Sequence, residues 1–231
     1  MQVIVITGST RGIGRGLAEQ LLLRGAAVVL SGRDPAAVAT ASAALASNSA
    51  AERVMGKACD VRDPVQVQAL WDAALARFGR VDCWVNNAGC GTLPRRLTDL
   101  PASDAERVVG TNQIGTLVCC HVAIAGMEAQ GHGFIYNMEG FGSRGQLRVG
   151  STIYGSTKVA IRYLTRALRR EYKDSCVRFG TLSPGVVITD AILTNLRSYE
   201  NPLDRARGKR VLNIIGDDVP TAAHFLAARL L

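Results

Sequence analysis

Aromatic residues are scarce in this 231-residue chain, at 5%, and no run of five or more Lys or Arg occurs in it. Single-stranded nucleic acid is held by stacking platforms along a basic track, so that partner is set aside. The formal charge of +8 then reads as a solvated basic face, or as arginines that serve an anionic ligand. There are three histidines, and the six cysteines make no C-x-x-C pair, which leaves no ligand cluster for zinc and calls for no other metal. Cys59, Cys83, Cys90, Cys119, Cys120 and Cys176 are expected as buried free thiols of a reducing compartment. No stretch of 18 consecutive apolar residues occurs, and the most apolar segment, residues 115–127, suits a buried helix rather than a membrane crossing. A first strand from about residue 2 leaves no room for a leader, unless one has already been removed.

Glycine and apolar residues are plentiful, at 24 glycines and 48% apolar, enough for one α/β domain with a sizeable core and many tight turns. Apolar runs predict strands at residues 3–6, 27–30, 54–59, 81–85, 134–138 and 177–182. Helical patterns lie between them, at 12–23, 35–46, 64–78, about 103–110, 113–130 and 154–173, with a last helix from about 220 to the end. Residues 47–52 read as loop, and 191–210 as a polar, irregular lid over a substrate. In the long helix 154–173, Ala160, Tyr163, Leu164, Ala167 and Leu168 are assigned to the inner face. The alternation predicts a single Rossmann-type domain over 1–231. It is a doubly wound parallel sheet of six strands, with a seventh left open and helices on both faces.

Gly8, Gly12 and Gly14 fall between the first strand and the first helix. With Ser9, Thr10, Arg11 and Ile13 they make a turn where the backbone can approach a pyrophosphate and a helix N-terminus favours its charge. The spacing is one residue longer than the commoner dinucleotide fingerprint. The second strand ends at Leu30-Ser31-Gly32-Arg33, with no acidic residue at Ser31 or Gly32 to accept the ribose hydroxyls. Arg33 and Arg11 are placed instead to clamp a 2′-phosphate, which selects NADPH over NADH; the plainer alternative is two solvated arginines. Asp60 and Val61 close the third strand, where the carboxylate could accept the adenine amino group and the valine cover the ring. Tyr154 and Lys158, four residues apart, share one face of a helix. An ammonium beside the phenol draws its pKa, ordinarily about 10, towards neutrality.

Thr7-Gly8-(x)3-Gly12-x-Gly14, Asn86-Asn87-Ala88-Gly89, Asn112, Tyr154-(x)3-Lys158 and Pro184-Gly185, in this order, resemble the short-chain dehydrogenase/reductase family over nearly the whole chain. The resemblance implies that Tyr154 is the general acid that protonates a carbonyl oxygen as hydride arrives from the nicotinamide. Lys158 would hold the nicotinamide ribose and lower the Tyr154 pKa, and Asn112 would hold a water linking Lys158 to solvent. Asn87, Ala88 and Gly89 would line the cofactor groove. Pro184, Gly185, Val187 and Thr189 would flank the nicotinamide, with Thr189 bonding its carboxamide. One position departs. The family's catalytic Ser falls about thirteen residues before the Tyr, and there Asn137-Met138-Glu139-Gly140-Phe141-Gly142-Ser143 offers Gly140 or Phe141. Ser143 can substitute if the loop turns back, or it is a loop serine with no role. Glu139 is a second candidate, although its charge opposes a developing alkoxide unless protonated.

Residues 137–143, Tyr154-Gly155-Ser156-Thr157-Lys158, residues 182–189 and Asn213-Ile214-Ile215 are similar to the chlorophyll b reductase group. That likeness implies NADPH-dependent reduction of the 7-formyl group of chlorophyll b to a hydroxymethyl group, in the chloroplast. Without it, the location is read as cytoplasmic. Met138, Phe141, Leu147, Ile192, Leu193 and Tyr199 are candidate walls of an apolar cleft, or ordinary core residues. Arg197, Arg205, Arg207, Lys209 and Arg210 populate the lid, facing acidic groups or simply water. Two other readings stand beside this one: a reductase of a steroid, sugar or acyl carbonyl, and a nucleotide-binding scaffold that lost turnover together with the displaced Ser. The helices beginning at Gln113 and Tyr154 offer a homodimer contact.

Overall fold

The computed structural model describes residues 1–47, 51–199 and 201–230. Six parallel strands form one sheet: β1 (Val3–Ile6), β2 (Ala27–Gly32), β3 (Val54–Ala58), β4 (Cys83–Asn86), β5 (Gly133–Met138) and β6 (Val177–Leu182). Their order is β3-β2-β1-β4-β5-β6. The winding reverses between β1 and β4, and a doubly wound sheet opens a crevice at the carboxyl ends of its strands there. Both faces of the central strands β1, β2 and β4 are covered, so these strands carry apolar residues on alternate sides. Ile4, Ile6, Val28, Leu30 and Val85 cluster with α1 (Gly12–Leu23), α2 (Pro35–Ser47) and α9 (Val219–Ala227). Val5, Val29, Trp84 and Ile135 cluster with α3 (Pro64–Phe78), α5 (Gly115–Gln130) and α6 (Thr152–Glu171). Each fully buried aliphatic side chain contributes roughly 1.5–3 kcal/mol over leaving it in water.

Local chemistry sets the helix ends. Asp63 caps α3 by accepting from Val65 N at 2.9 Å, Pro64 opens the helix, and Gly79 closes it in the left-handed region. α4 (Ala102–Val109) runs into α5 through one π-helical turn over 110–114. The continuous run Ala102–Gln130 is, among the described residues, the one helix long and apolar enough to cross a membrane, and here it is mostly buried. It packs against α3, β4 and β5 as a core helix.

Three sequence expectations are corrected. Residues 191–210 are not irregular: α7 (Asp190–Arg197) is capped by Thr189 and α8 (Pro202–Ile215) by Asn201. α8 buries none of its residues, so it shows no apolar stripe of the kind that betrays a core helix. No seventh strand joins the main sheet among the described residues; β7 (Val186–Val187) pairs with β8 (Gly216–Asp217) and joins the chain on either side of α7 and α8. In α6 the inner stripe is Ile153, Thr157, Lys158, Ile161, Thr165 and Leu168, while Tyr163 is 74% exposed. Buried polar residues break the hydropathy pattern there. Finally, Cys90 is half-buried and Cys176 exposed, leaving four buried thiols. Residues 51–53 form a short 3-10 turn; the rest of the expected loop, 48–50, and the last residue of the expected terminal helix lie outside the described residues.

Candidate active site

The glycine turn is held rigidly from beneath. Gly8 takes φ +62° and its Cα faces Ala88 so closely that a side chain would strike that residue's backbone. Thr7 Oγ1 accepts from Asn87 N and Ala88 N at 3.0 Å, and Asn87 Nδ2 donates to Thr7 O and Gly8 O at 2.9 Å. The Asn87-Ala88-Gly89 segment is thereby stapled to the turn. Ser9 is fully buried; its Oγ donates to Ile6 O and accepts from Ser31 N, so it braces the turn rather than facing a ligand. Above this brace, α1 begins at Arg11 with no side-chain cap and no acid in its first turn. The first N–H groups of Gly12, Ile13 and Gly14 are therefore left to an outside anion, and a pyrophosphate fits them.

The end of β2 lies against the glycine turn. A side chain at Gly32 would meet Thr10 Cγ2 at 2.9 Å, so the acidic residue that recognises a free ribose is missing there and would enter only if Thr10 moved aside. Arg11 and Arg33 are exposed and, among the described residues, carry no ion pair. Asp60 is already engaged: Arg62 clamps both carboxylate oxygens through Nε at 3.0 and 3.1 Å and Nη2 at 2.6 Å. That guanidinium holds the Asp60 carboxyl below its ordinary range, with a smaller pull from Arg33. Val61 does not offer its side chain to a ring. It is buried in the core against Gly115, a correction that follows from its apolar character beside the tight start of α5.

Tyr154 and Lys158 lie on the buried side of α6, at the carboxyl ends of β4 and β5. Lys158 Nζ donates to Met138 O at 3.0 Å and sits 5.6 Å from the centroid of the Tyr154 ring. Gly140 presses against the Tyr154 hydroxyl: a Cβ there would collide with it and lie 3.2 Å from Lys158 Cε. Gly140 thus occupies the place from which a side chain would address the phenol. Ser143 does not fill the gap. Its Oγ donates to Gly140 O at 2.8 Å and accepts from Gly140 N at 3.0 Å, which fastens Gly140 beside the phenol. Asn112 is likewise a clamp: Nδ2 donates to Cys90 O and Thr157 Oγ1, and Oδ1 accepts from Cys90 N. Its carboxamide joins the segment after β4 to α6, and its main-chain carbonyl accepts from Thr116 Oγ1.

The electrostatics reverse one expectation. Burial pushes the Tyr154 phenol up to about 12, with Arg148 pulling weakly the other way. Burial also pushes the Lys158 ammonium down to about 8, opposed by Cys90 and then Glu139. Desolvation is the largest influence on both groups, so the phenol is neutral near pH 7 and is poised to give a proton rather than to lose one beforehand. Glu139 is neither near solvent nor free; its side chain is 2% exposed and pairs with Arg162 Nη1 at 2.7 Å, one turn beyond Lys158.

Several partners were not foreseen. Trp84 Nε1 donates to Asn86, Asn86 to Asn137, and Asn137 to Thr165, a buried chain that locks β4, β5 and α6 together beneath the site. Isolated Asn and Thr in apolar runs were the only sequence signal. Thr189 caps α7 and its methyl lies 3.9 Å from where a Gly12 side chain would start, across the glycine turn. Val187 is buried in the β7–β8 pair, while Pro184 and Gly185 border the same edge. Of the candidate cleft walls, Met138 belongs to the core; Phe141 and Leu147 are exposed, and Ile192, Leu193 and Tyr199 are half-buried. No group of three or more His, Cys, Asp or Glu suited to a metal occurs among the described residues.

The family model described as short chain dehydrogenase matches residues 2–199. A probable chlorophyll(ide) b reductase, chloroplastic, of Oryza sativa subsp. japonica is 35% identical over 243 aligned residues, covering 98% of this chain and 47% of that protein. This chain thus spans about half the length of that relative. Among solved structures, it is similar to a short-chain dehydrogenase/reductase from Burkholderia phymatum in complex with NAD, at 28% identity and TM-score 0.82, covering 96% of this chain and 83% of the other. It is also similar to an alcohol dehydrogenase from the archaeon Thermococcus sibiricus complexed with 5-hydroxy-NADP, at 27% identity and TM-score 0.82, covering all of this chain and 90% of the other.

Proposed function

The chain belongs to the short-chain dehydrogenase family, and on that premise we propose that it is an NADPH-dependent carbonyl reductase acting on the 7-formyl group of chlorophyll(ide) b. One observation carries the reading: a half-buried, neutral Tyr154 sits with a buried Lys158 at the carboxyl ends of β4 and β5, and α1 starts uncapped at the carboxyl end of β1 in the same sheet. Bound NADPH would supply the hydride. Gly12 to Gly14 would hold its pyrophosphate, and Arg11 and Arg33 its 2′-phosphate. One similar solved structure is complexed with NAD and another with 5-hydroxy-NADP, so the preference for NADPH rests on the missing acid at Ser31 and Gly32 and on Arg11 and Arg33, which carry no ion pair among the described residues. Tyr154 Oη gives its proton to the carbonyl oxygen, and Lys158, fixed by Met138 O, faces the phenolate that results. Gly140 takes the place of a serine hydroxyl, so the oxyanion is served by the phenol alone.

The pigment assignment and a plastid location follow the likeness to the rice protein and remain separable from the chemistry. A reductase of another aldehyde or ketone shares every step above. The test is incubation with NADPH and chlorophyllide b while following the pigment's red absorption band. A shifted band that Tyr154→Phe abolishes, with NADPH binding retained, supports both levels. NADPH consumption with simple aldehydes but an unmoved band keeps the reductase and sinks the pigment. NADPH binding with no carbonyl turned over favours the scaffold reading. A homodimer through α5 and α6 belongs to the same proposal; Leu117, Val159 and Tyr163 are exposed on those helices, and light scattering that returns the monomer mass would exclude it.

A further inference from the structure

Helix α8 is the most loosely covered helix of the fold. Only Gly208 and Leu212 within it are even half-buried, and Gly208 sits against Leu196 of α7. Its outward surface carries aliphatic side chains in water: Leu203 at 77% and Ile214 at 74% exposure, with Val211 and Ile215 also exposed. Helical spacing places Leu203, Arg207, Arg210 and Ile214 in one line, with Val211 beside it. Lys209 lies well off this line, and Arg205 turns away and donates to Tyr199 O at 2.7 Å. Asp204, in the first turn, is the single acid of the helix.

A second segment repeats the chemistry. Residues 140–151 leave the carboxyl end of β5 and contain no acid. They expose Phe141, Val149 and, at 94%, Leu147, together with Arg144 and Arg148. The Arg148 guanidinium lies 5.3 Å over the Phe141 ring, a basic and apolar pair at the surface. β5 and β6 are adjacent and parallel, so this segment and the one containing α8 open at the same edge of the sheet, on which Tyr154 also lies.

We propose that this edge, with α8 as its main element, docks on an anionic lipid bilayer, so that the mouth of the cleft faces the membrane. A purely aliphatic stripe would fit any apolar partner. Here aliphatic and cationic side chains share one face, which matches a bilayer boundary: the alkyl groups enter the acyl region while guanidinium and ammonium groups stay at the phosphates. The net charge of +8 adds attraction to a negative surface. A second copy of the same basic face would be repelled by it. The inference does not depend on which carbonyl is reduced, or on turnover at all.

The experiment is co-sedimentation of the protein with phosphatidylcholine vesicles, with and without phosphatidylglycerol. Binding is expected to the anionic vesicles, to fall as salt is raised, and to be slight with phosphatidylcholine alone. Arg207→Gln with Arg210→Gln should lower the partition coefficient about 25-fold, roughly fivefold for each charge removed near the surface. Leu203→Ser with Ile214→Ser should also release the protein, while the thermal midpoint and NADPH affinity stay unchanged because both side chains are largely solvated. Equal binding to the two vesicle types, no binding to either, or unaltered binding of the variants would overturn the proposal. Capture by polyglutamate with indifference to vesicles would overturn it too, and would assign the face to an acidic protein.

Discussion

Gly140→Ala adds one methyl group at the most crowded point of the site. Built on the present backbone, that carbon lies 3.2 Å from Lys158 Cε and 3.4 Å from Tyr154 Cζ, with the hydroxyl oxygen closer still. Ordinary carbon contacts begin near ~3.5 Å, so the phenol must retreat by about 1 Å. A displacement of that size in a proton-donating group costs on the order of 100-fold in rate, about 2.7 kcal/mol of barrier. The glycine turn lies elsewhere and is braced by Thr7 and Asn87, so NADPH affinity should change less than about twofold. The assay is kcat/KM for the best aldehyde, beside NADPH titration and a melting curve. Gly140→Ser should fall as far, because the obstruction comes from Cβ and not from a missing hydroxyl. A folded, NADPH-binding Gly140→Ala enzyme within about threefold of the parent would refute this account. So would a Gly140→Ser enzyme faster than the parent.

The pH profile of carbonyl reduction should decline above about 8, where Lys158 loses its charge, while Tyr154, pushed up to about 12, stays protonated; a flat profile to pH 10 would contradict this. The same depressed Lys158 makes the unfolded chain bind the extra proton between about 8 and 10.5, so its contribution to stability rises with pH across that window and is lost as pH falls through 8. Arg162→Ala strands the Glu139 carboxylate, which is 2% exposed, and should cost about 3 kcal/mol in urea denaturation. Glu139→Gln leaves only a partly solvated arginine and should cost about 1 kcal/mol; equal losses from the two variants would show that burial is not what sets the cost. Arg33→Ala should raise the Kd for NADPH at least tenfold and leave NADH nearly unchanged, as read by fluorescence titration.

The sheet and its winding were legible because the central strands, buried on both faces, are continuous apolar runs, and β3, β5 and β6 still stand out as largely apolar segments between turns. α3 could be placed to the residue because its caps, Asp63 with Pro64 and then Gly79, are written in local chemistry. α7 and α8 were not legible. Their side chains lie largely outside the core, so hydropathy carried no period, although Thr189 and Asn201 signalled their starts. The inner face of α6 was misassigned for the opposite reason: Thr157, Lys158 and Thr165 are buried for hydrogen bonding, and a hydropathy rule counts them as outside.

The glycine turn, the Tyr154 and Lys158 spacing and the absence of an acid after β2 are local patterns, and the order of residues alone determines them. How those groups behave was decided only when distant segments met. Ser143 read as a stand-in for the serine missing at Gly140 or Phe141 until folding joined Ser143 and Gly140 as a bonded pair beside the phenol. Lys158 reads as an acidifier of Tyr154, but the walls that close around both withdraw water from each, and desolvation is a property of the assembled cleft rather than of a spacing.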